Sequence, residues 1–329
     1  METVADAFAA HERLLWGLGY RMTGLASDAD ELVQETFLRA IEHPVPDDGR
    51  PLRPWLVRVC ANLARDRLRA RRRRGAQRRD GAWLPSPVPS ERLYDADGTT
   101  IPGADSAAIL GATTPDADTP EARYTRTETA GLAFLLALEA LTPTQRAVLL
   151  LRDVFELDAD EVAAALGSTP GAVRVAHHKA RRSLEGRAPN GRAPDNHAAA
   201  TSEATLAALT TFLGALATGD AAAALAQLAP DVVLRSDGGG VFSAAKVPVL
   251  GAEKVVKFLL HVASAAGPEN RWEIRSLNGA PMAVVELMAP APGRAPRFVV
   301  GVTLGPTGKI VAIHWVLDPA KLTTIPPLA

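Results

Sequence analysis

STPGAVRVAHHKARRSL, residues 168–184, combines a helix start, an apolar stripe and a cationic outer face in one short stretch. Gly167 closes the preceding helix, Ser168 or Thr169 is placed to cap the next, and Pro170 takes the first helical position, where an absent N–H costs nothing. Val173, His177, Ala180 and Leu184 recur at intervals of four, three and four and so share one helix face. Arg174, Val175, His178, Lys179, Arg181 and Arg182 fall outside it. Upstream, Asp158 and Glu161 make a capping arrangement at the head of EVAAALG. Two helices joined by about three residues have the spacing of a helix-turn-helix. Asp153, Glu156, Asp158, Asp160 and Glu161 precede the turn and the bases follow it, an asymmetry that aims the second helix at phosphates. An ordinary helical hairpin with a solvated basic face fits the same spacing.

At 329 residues and 47% apolar content, the chain has material for two or three packed domains. Its net charge of −1 conceals a basic N-terminal third and a basic helix balanced by an acidic middle. A single cysteine, Cys60, excludes an intrachain disulfide framework and a cysteine-cluster zinc site, and fits a reducing compartment. No apolar run approaches the roughly 20 residues of a membrane span, and METVADAFAAHERLL is too charged for a signal peptide. The expectation is a cytoplasmic, nucleoid-associated protein with no membrane partner, no metal and no cofactor.

Residues 8–80 read as helical. Ser27 with Asp30 forms a cap, and Val33, Phe37 and Ile41 repeat every four residues while Asp28, Glu31, Gln34 and Glu35 lie largely opposite. Residues 43–54 form a proline-rich loop. PWLVRVCANLARDRLRARRRR then resumes helical spacing, and from Arg65 to Arg79 there are nine arginines and one acid. A solvated basic tail is one reading of that run. A helix with its apolar face packed and its basic face outward, tracking a nucleic-acid backbone in fixed register, is the other. Residues 81–125, with six prolines and an acidic excess, form a flexible linker. Helices return over 126–187, where Thr142 and Gln145 make a capping box with Pro143 at the first position. A second linker, 188–202, precedes a domain at 203–325 that opens with helices and turns to strands, with hairpin turns at Asn278-Gly279 and Pro306-Thr307-Gly308. That order argues for a compact α+β domain with a mostly antiparallel sheet.

DADELVQETFLRA, PWLVRVCANLARDRLR and the helix-turn-helix resemble the extracytoplasmic-function sigma factors of bacterial RNA polymerase, over residues 8–80 and 126–185. Trp83-Leu84-Pro85-Ser86-Pro87 and Asp237-Gly238-Gly239-Gly240 resemble the linker motif and the aspartate-triglycine motif of the subgroup with a C-terminal SnoaL-like domain. Val241 follows the triglycine here where relatives commonly have lysine. The resemblance implies a multidomain chain: two all-α sigma domains, region 2 and region 4, and a C-terminal α+β cone-fold domain. It implies a non-enzymatic alternative sigma factor that binds core RNA polymerase, at the β′ clamp and β flap, and promoter DNA. Asp28, Asp30, Glu31, Leu32, Gln34, Glu35, Phe37 and Leu38 would meet the polymerase. Asn62, Arg65, Arg69 and Arg72, along one polar side, would contact the minus-ten strand, with Trp55 in the core. Arg174, His178, Lys179, Arg181 and Arg182 would meet the minus-thirty-five element, and His177 would serve packing. Ala176 stands where many relatives have arginine, so their promoter sequence does not transfer.

Strand alternation sets Glu286 beside Met282, Val284 and Met288, and His314 beside Ile310, Ala312 and Val316, so either could face a cavity. An acid-base pair in a fused isomerase or cyclase is one outcome, and hydrogen-bonded structural residues in a regulatory domain the other. In the regulatory reading the C-terminal domain folds back on the sigma portion, with Trp83, Leu84, Pro85, Pro87 and Asp237 to Gly240 near the contact. A stand-alone helix-turn-helix regulator is the third class.

Overall fold

The structure, a computed structural model, describes residues 4–42, 52–75, 82–93, 132, 134–155, 157–185, 202–264 and 270–328. They fall into two compact units: a helical one, holding the described residues up to 75 with 91–93 and 134–185, and a helix-and-sheet one, holding 82–90 and 202–328. The expectations for the loop at 43–51 and for linker residues 94–125 and 188–201 lie outside the described residues.

In the helical unit, α1 (Val4–Thr23), α2 (Ala26–Glu42) and α3 (Leu52–Gly75) each pack on the other two. Because α2 lies against both neighbours, its buried stripe is wide, taking in Leu32, Val33, Thr36, Phe37 and Ala40. Leu15, Leu18, Tyr20 and Met22 of α1 and Leu56, Cys60, Ala64 and Leu68 of α3 complete the core. Each large side chain removed from water contributes about 1.5–3 kcal/mol before entropy is counted. The Ser27–Asp30 cap does not form, since α2 starts at Ala26, one residue ahead of Ser27. Thr23 Oγ1 accepts from Leu25 N at 3.3 Å instead, and Asp30 Oδ1 accepts from Trp16 Nε1 at 2.7 Å.

A helical turn over 134–138 leads to α4 (Pro143–Asp153), α5 (Ala159–Leu166) and α6 (Pro170–Glu185). Both capping boxes are present: Thr142 with Gln145, and Asp158 with Glu161. Gly167 ends α5 at φ 63°, a left-handed conformation that glycine adopts without strain. Thr169 caps α6, its Oγ1 accepting from Ala172 N at 3.3 Å.

The second unit opens with α7 (Ser202–Thr218) and α8 (Ala221–Gln227). Then follow β1 (Leu228–Asp237), β2 (Val249–Leu250), α9 (Ala252–Ser264), β3 (Asn270–Leu277), β4 (Ala280–Leu287), β5 (Arg297–Leu304) and β6 (Ile310–Val316). The six strands run β2-β1-β6-β5-β4-β3, with β1–β6 parallel and every other pair antiparallel. One face, carrying Leu234, Val300, Ile313 and Trp315, packs on Leu209 and Phe212 of α7 and Val255, Val256 and Leu259 of α9. Residues 82–90, expected in a flexible linker, are instead an extended segment held by this unit, with Leu84 to Val88 buried. Pro89 bridges to Leu277, and Asn278 N donates to Val88 O at 2.9 Å while Val88 N donates to Asn278 Oδ1 at 3.1 Å. Backbone donors paired this way cost nothing on burial, which is why a proline-rich stretch can be ordered here. Among the described residues no helix is long and apolar enough to cross a membrane, and no cluster of three His, Cys, Asp or Glu could hold a metal ion.

Candidate functional site

On α6, Val173, Ala180 and Leu184 are buried, and Arg174, Val175, His178, Lys179, Arg181 and Arg182 are exposed on the outer face. Asp153 at the end of α4 fixes the helix: its Oδ1 lies 2.7 Å from His177 Nε2 and its Oδ2 accepts from Arg181 Nε at 3.1 Å. His177, expected to serve packing, is therefore a half-buried hydrogen-bonding residue, and the exposed Arg181 is tied to a nearly buried carboxylate of its own domain. Val175, 54% exposed between Arg174 and His178, adds an apolar patch to a basic face.

The polar side of α3 does something the sequence did not announce. Asn62 Nδ2 donates to Ala165 O at 2.7 Å and Arg65 Nη1 to Leu166 O at 3.0 Å, so both bind the C-terminal end of α5. Those carbonyls are among the last four of the helix, without intrahelical partners and at the negative pole of its dipole, which is where cationic donors gain most. Arg69 Nη2 donates to Thr144 Oγ1 at 3.3 Å and Arg72 Nη2 to Leu141 O at 2.5 Å. All four residues expected at the minus-ten strand thus share one side of α3, and α4, α5 and the turn before them occupy that side. Arg146, 3% exposed, reinforces the contact through Nη1 to Met22 O at 2.7 Å and Nη2 to Leu138 O and Glu139 Oε1 at 2.6 and 2.7 Å. Burial of its guanidinium pushes its pKa down, and Glu139 opposes the shift. Trp55 is half-buried.

On α2, Leu32 and Phe37 are core residues, 1% and 5% exposed, and so present no surface to a partner. They were expected there because an amphipathic helix does not reveal how wide its buried stripe is. Asp28 pairs with Arg67 and Arg71 of α3, Glu31 pairs with Arg67 at 2.9 Å, and Glu35 pairs with Arg39 at 3.0 Å. Asp30 is held by Trp16 and lies 3.7 Å from Arg92, whose guanidinium sits 4.6 Å above the Trp16 ring. The outward stripe is Gln34, Leu38 and Ile41, the last two 48% and 64% exposed.

In the second unit the two short motifs meet. Asp237 Oδ2 accepts from Leu84 N at 2.8 Å and pairs with Lys321, which also donates to Leu84 O at 2.6 Å and lies 4.8 Å from the Trp83 ring centroid. Pro85 and Pro87 are buried, and Pro87 O accepts from Thr324 Oγ1 at 3.2 Å. The glycines have separate reasons. A Cβ on Gly238 would stand 2.3 Å from Phe242 O. One on Gly239, at φ 62°, would stand 2.3 Å from Asp318 Cγ, while Gly240 needs only its left-handed φ of 78°.

Glu286 and His314 do not face the cavity of this unit. Val285 and Leu287 of β4 and Ile313 and Trp315 of β6 line it, and strand alternation turns Glu286 and His314 to the opposite face. There Glu286 pairs with Arg297 at 3.2 Å and accepts from Leu328 N, while His314 lies 3.3 Å from Thr303 Oγ1. Burial, aided by the Arg235 charge, pushes the His314 pKa down to about 3. The acid-base pair of the isomerase reading is not assembled.

Sequence reasoning missed Arg146, Asp153 as an anchor, and Lys321. Arg146 had a signal: it shares a helix face with Leu149, Leu150 and Asp153, a charge on an apolar stripe. Lys321 had only its place in an otherwise uncharged C-terminal stretch.

The sigma-70 region 2 family matches residues 7–74 and sigma-70 region 4 matches 131–184. The extracytoplasmic-function sigma factor SigJ of Mycobacterium tuberculosis is 29% identical over 327 residues, 97% of this chain and 93% of SigJ. From the same organism, SigG is 38% identical over 183 residues, 54% of this chain and 48% of SigG, and the probable sigma factor SigI is 28% identical over 323 residues, 98% of this chain and 95% of its own. The crystal structure of SigJ superposes with a TM-score of 0.66 at 26% identity, covering 98% of this chain and 99% of SigJ. Likeness therefore runs through the sheet unit as well as the helices, and the chain belongs to the extracytoplasmic-function RNA polymerase sigma factors, non-enzymatic initiation factors of the sigma-70 family, in the subgroup with a C-terminal SnoaL-like domain.

Proposed function

We propose that α6 enters the major groove of the minus-thirty-five element with Arg174, His178, Lys179 and Arg182 toward DNA and Val175 available for a thymine methyl. The exposed basic face directly after a capped helix-turn-helix carries this reading. Arg181 joins that surface at its edge, steered by Asp153. The Gln34, Leu38 and Ile41 stripe of α2, rimmed by Glu31 and Glu35, docks on the β′ clamp, region 4 meets the β flap, and the protein works in the cytoplasm at the nucleoid. Leu38 and Ile41 supply buried area there and the acids orientation.

Asn62, Arg65, Arg69 and Arg72 bind the unpaired minus-ten strand once α3 parts from α5, since the same donors cannot serve helix carbonyls and phosphates together. Polymerase binding drives that opening. The C-terminal domain modulates the process through residues 83–87, which follow α3 in sequence and are gripped by Asp237 and Lys321.

Promoter-specific run-off transcription with core polymerase tests these assignments. Arg174→Ala should lower initiation about tenfold, as loss of a base-reading arginine does, while leaving polymerase affinity unchanged. Leu38→Asp should weaken polymerase binding instead. Unchanged initiation by the first variant removes α6 from the promoter, and unchanged affinity in the second removes α2 from the clamp.

A further inference from the structure

The six-stranded sheet ends differently at its two edges. β2 is two residues long, so it offers little unpaired backbone. β3, at the other end, runs eight residues, Asn270–Leu277, holds no proline and pairs with β4 in unbroken register. Long, straight edges are what sheet proteins usually blunt, because their free N–H and C=O groups accept another strand.

The hairpin turn decides which groups point outward. Asn278 and Gly279, at φ 54° and 78°, make a two-residue turn closed by Leu277 and Ala280. That closing pair exchanges both hydrogen bonds, so Leu277, Arg275, Glu273 and Arg271 turn their backbone groups toward β4, whereas Ser276, Ile274 and Trp272 turn theirs outward. Asn278 N, donating outward to Val88 O at 2.9 Å, follows the same alternation. Residues 88–90 take up the outer side near Leu277, through the Pro89 bridge and the Ser90 hydroxyl that accepts from Ser276 Oγ at 2.8 Å. Beyond them no strand pairs with the outward side of Trp272 or Ile274 among the described residues, and Trp272 is 48% exposed.

We propose that this edge joins two copies of the chain, β3 pairing antiparallel with its counterpart about a two-fold axis at Trp272. The charges choose that register. An axis at Arg271 or at Glu273 sets like charges directly opposite one another. An axis at Ile274 drives the partner strand into residues 88–90. With the axis at Trp272, Arg271 lies opposite the partner's Glu273 and Glu273 opposite the partner's Arg271, and the two indoles pack side by side on the other face. Arg271 is exposed, and Glu273, although paired with Arg275 at 3.0 Å, is 53% exposed and has room for a second cation. The proposal concerns the sheet unit alone and is independent of promoter and polymerase binding.

Sedimentation equilibrium of the full chain across a wide concentration range should show a reversible monomer–dimer equilibrium. Arg271→Glu and Glu273→Arg each turn two attractive cross-strand pairs into two repulsive ones and should each raise the dimer dissociation constant about tenfold or more. An equimolar mixture of the two variants sets opposite charges facing at both positions and should regain a dimer of native affinity, made of one copy of each. That regain also shows that both variants fold. A chain that stays monomeric at every concentration overturns the proposal, as does a dimer that the single variants leave intact or that their mixture fails to restore.

Discussion

Lys321 and Asp237 form an ion pair whose side chains are only 6% and 10% exposed, and the two residues divide between them the N–H and the C=O of Leu84. Neither charge has water to fall back on. Asp237 retains Leu84 N and Gly239 N if the lysine is removed, whereas removing Asp237 takes the carboxylate away from a buried ammonium that keeps Leu84 O and the Trp83 ring face. Asp237→Ala should therefore cost about 3–5 kcal/mol, the loss typical when one partner of a buried ion pair is removed, and Lys321→Met clearly less. Urea midpoints read from amide resonances of the sheet check the order, and the reverse ranking refutes the account.

Arg146 ties the region 4 helices to the end of α1 without touching any residue proposed to bind DNA. Arg146→Leu strips the charged donor from Met22 O and Leu138 O and should cost about 3 kcal/mol, given the strength of hydrogen bonds to a charged donor. It should also free the α3 side chains. The expected result is a larger radius of gyration by X-ray scattering and tighter binding of a single-stranded promoter oligonucleotide. Weaker binding would show that the closed arrangement does not compete with DNA.

His314 makes stability depend on pH with a definite sign. Its folded pKa of about 3 lies below the ordinary 6.5, so between those values the unfolded chain holds one more proton. The contribution is complete above pH 6.5 and falls by about 1.4 kcal/mol per pH unit as pH drops toward 3. Urea midpoints across that window should show this slope in the native chain, and His314→Leu should lack it.

Cys60 is the only cysteine, and burial pushes its thiol up to about 12 against the opposing hydrogen bond from Thr36. With so little thiolate, the folded protein should resist dithiobisnitrobenzoate at pH 8 and release one equivalent of chromophore on unfolding in urea. Rapid labelling of the native protein would mean that α3 opens far more readily than its packing implies.

The helix-turn-helix was legible because its determinants are local: Asp158, Gly167, Thr169 and Pro170 act within a few residues of themselves, and Val173, Ala180 and Leu184 need only helical periodicity. The partners of Asn62 and Arg65 were not, since they are main-chain carbonyls about a hundred positions away that carry no residue-type signal. Leu32 and Phe37 were misplaced for a related reason, as burial on α2 depends on two neighbouring helices at once. In the sheet, alternation separated Val285 from Glu286 and Trp315 from His314 but not which set met the cavity. Residues 82–90 and the C-terminal stretch hold the opposite face, so both sets are flanked by apolar residues.

The parallel pairing of β1 with β6 puts Ser236 opposite Trp315 and Asp237 opposite Val316, so consecutive residues serve opposite sides of one partition. One residue inserted into β1 ahead of Ser236 would turn Asp237 into the hydrocarbon interior and strand Leu84 N in the same stroke. Cavity and clasp cannot be edited apart by a change of strand length, and evolution must treat them as a single heritable object.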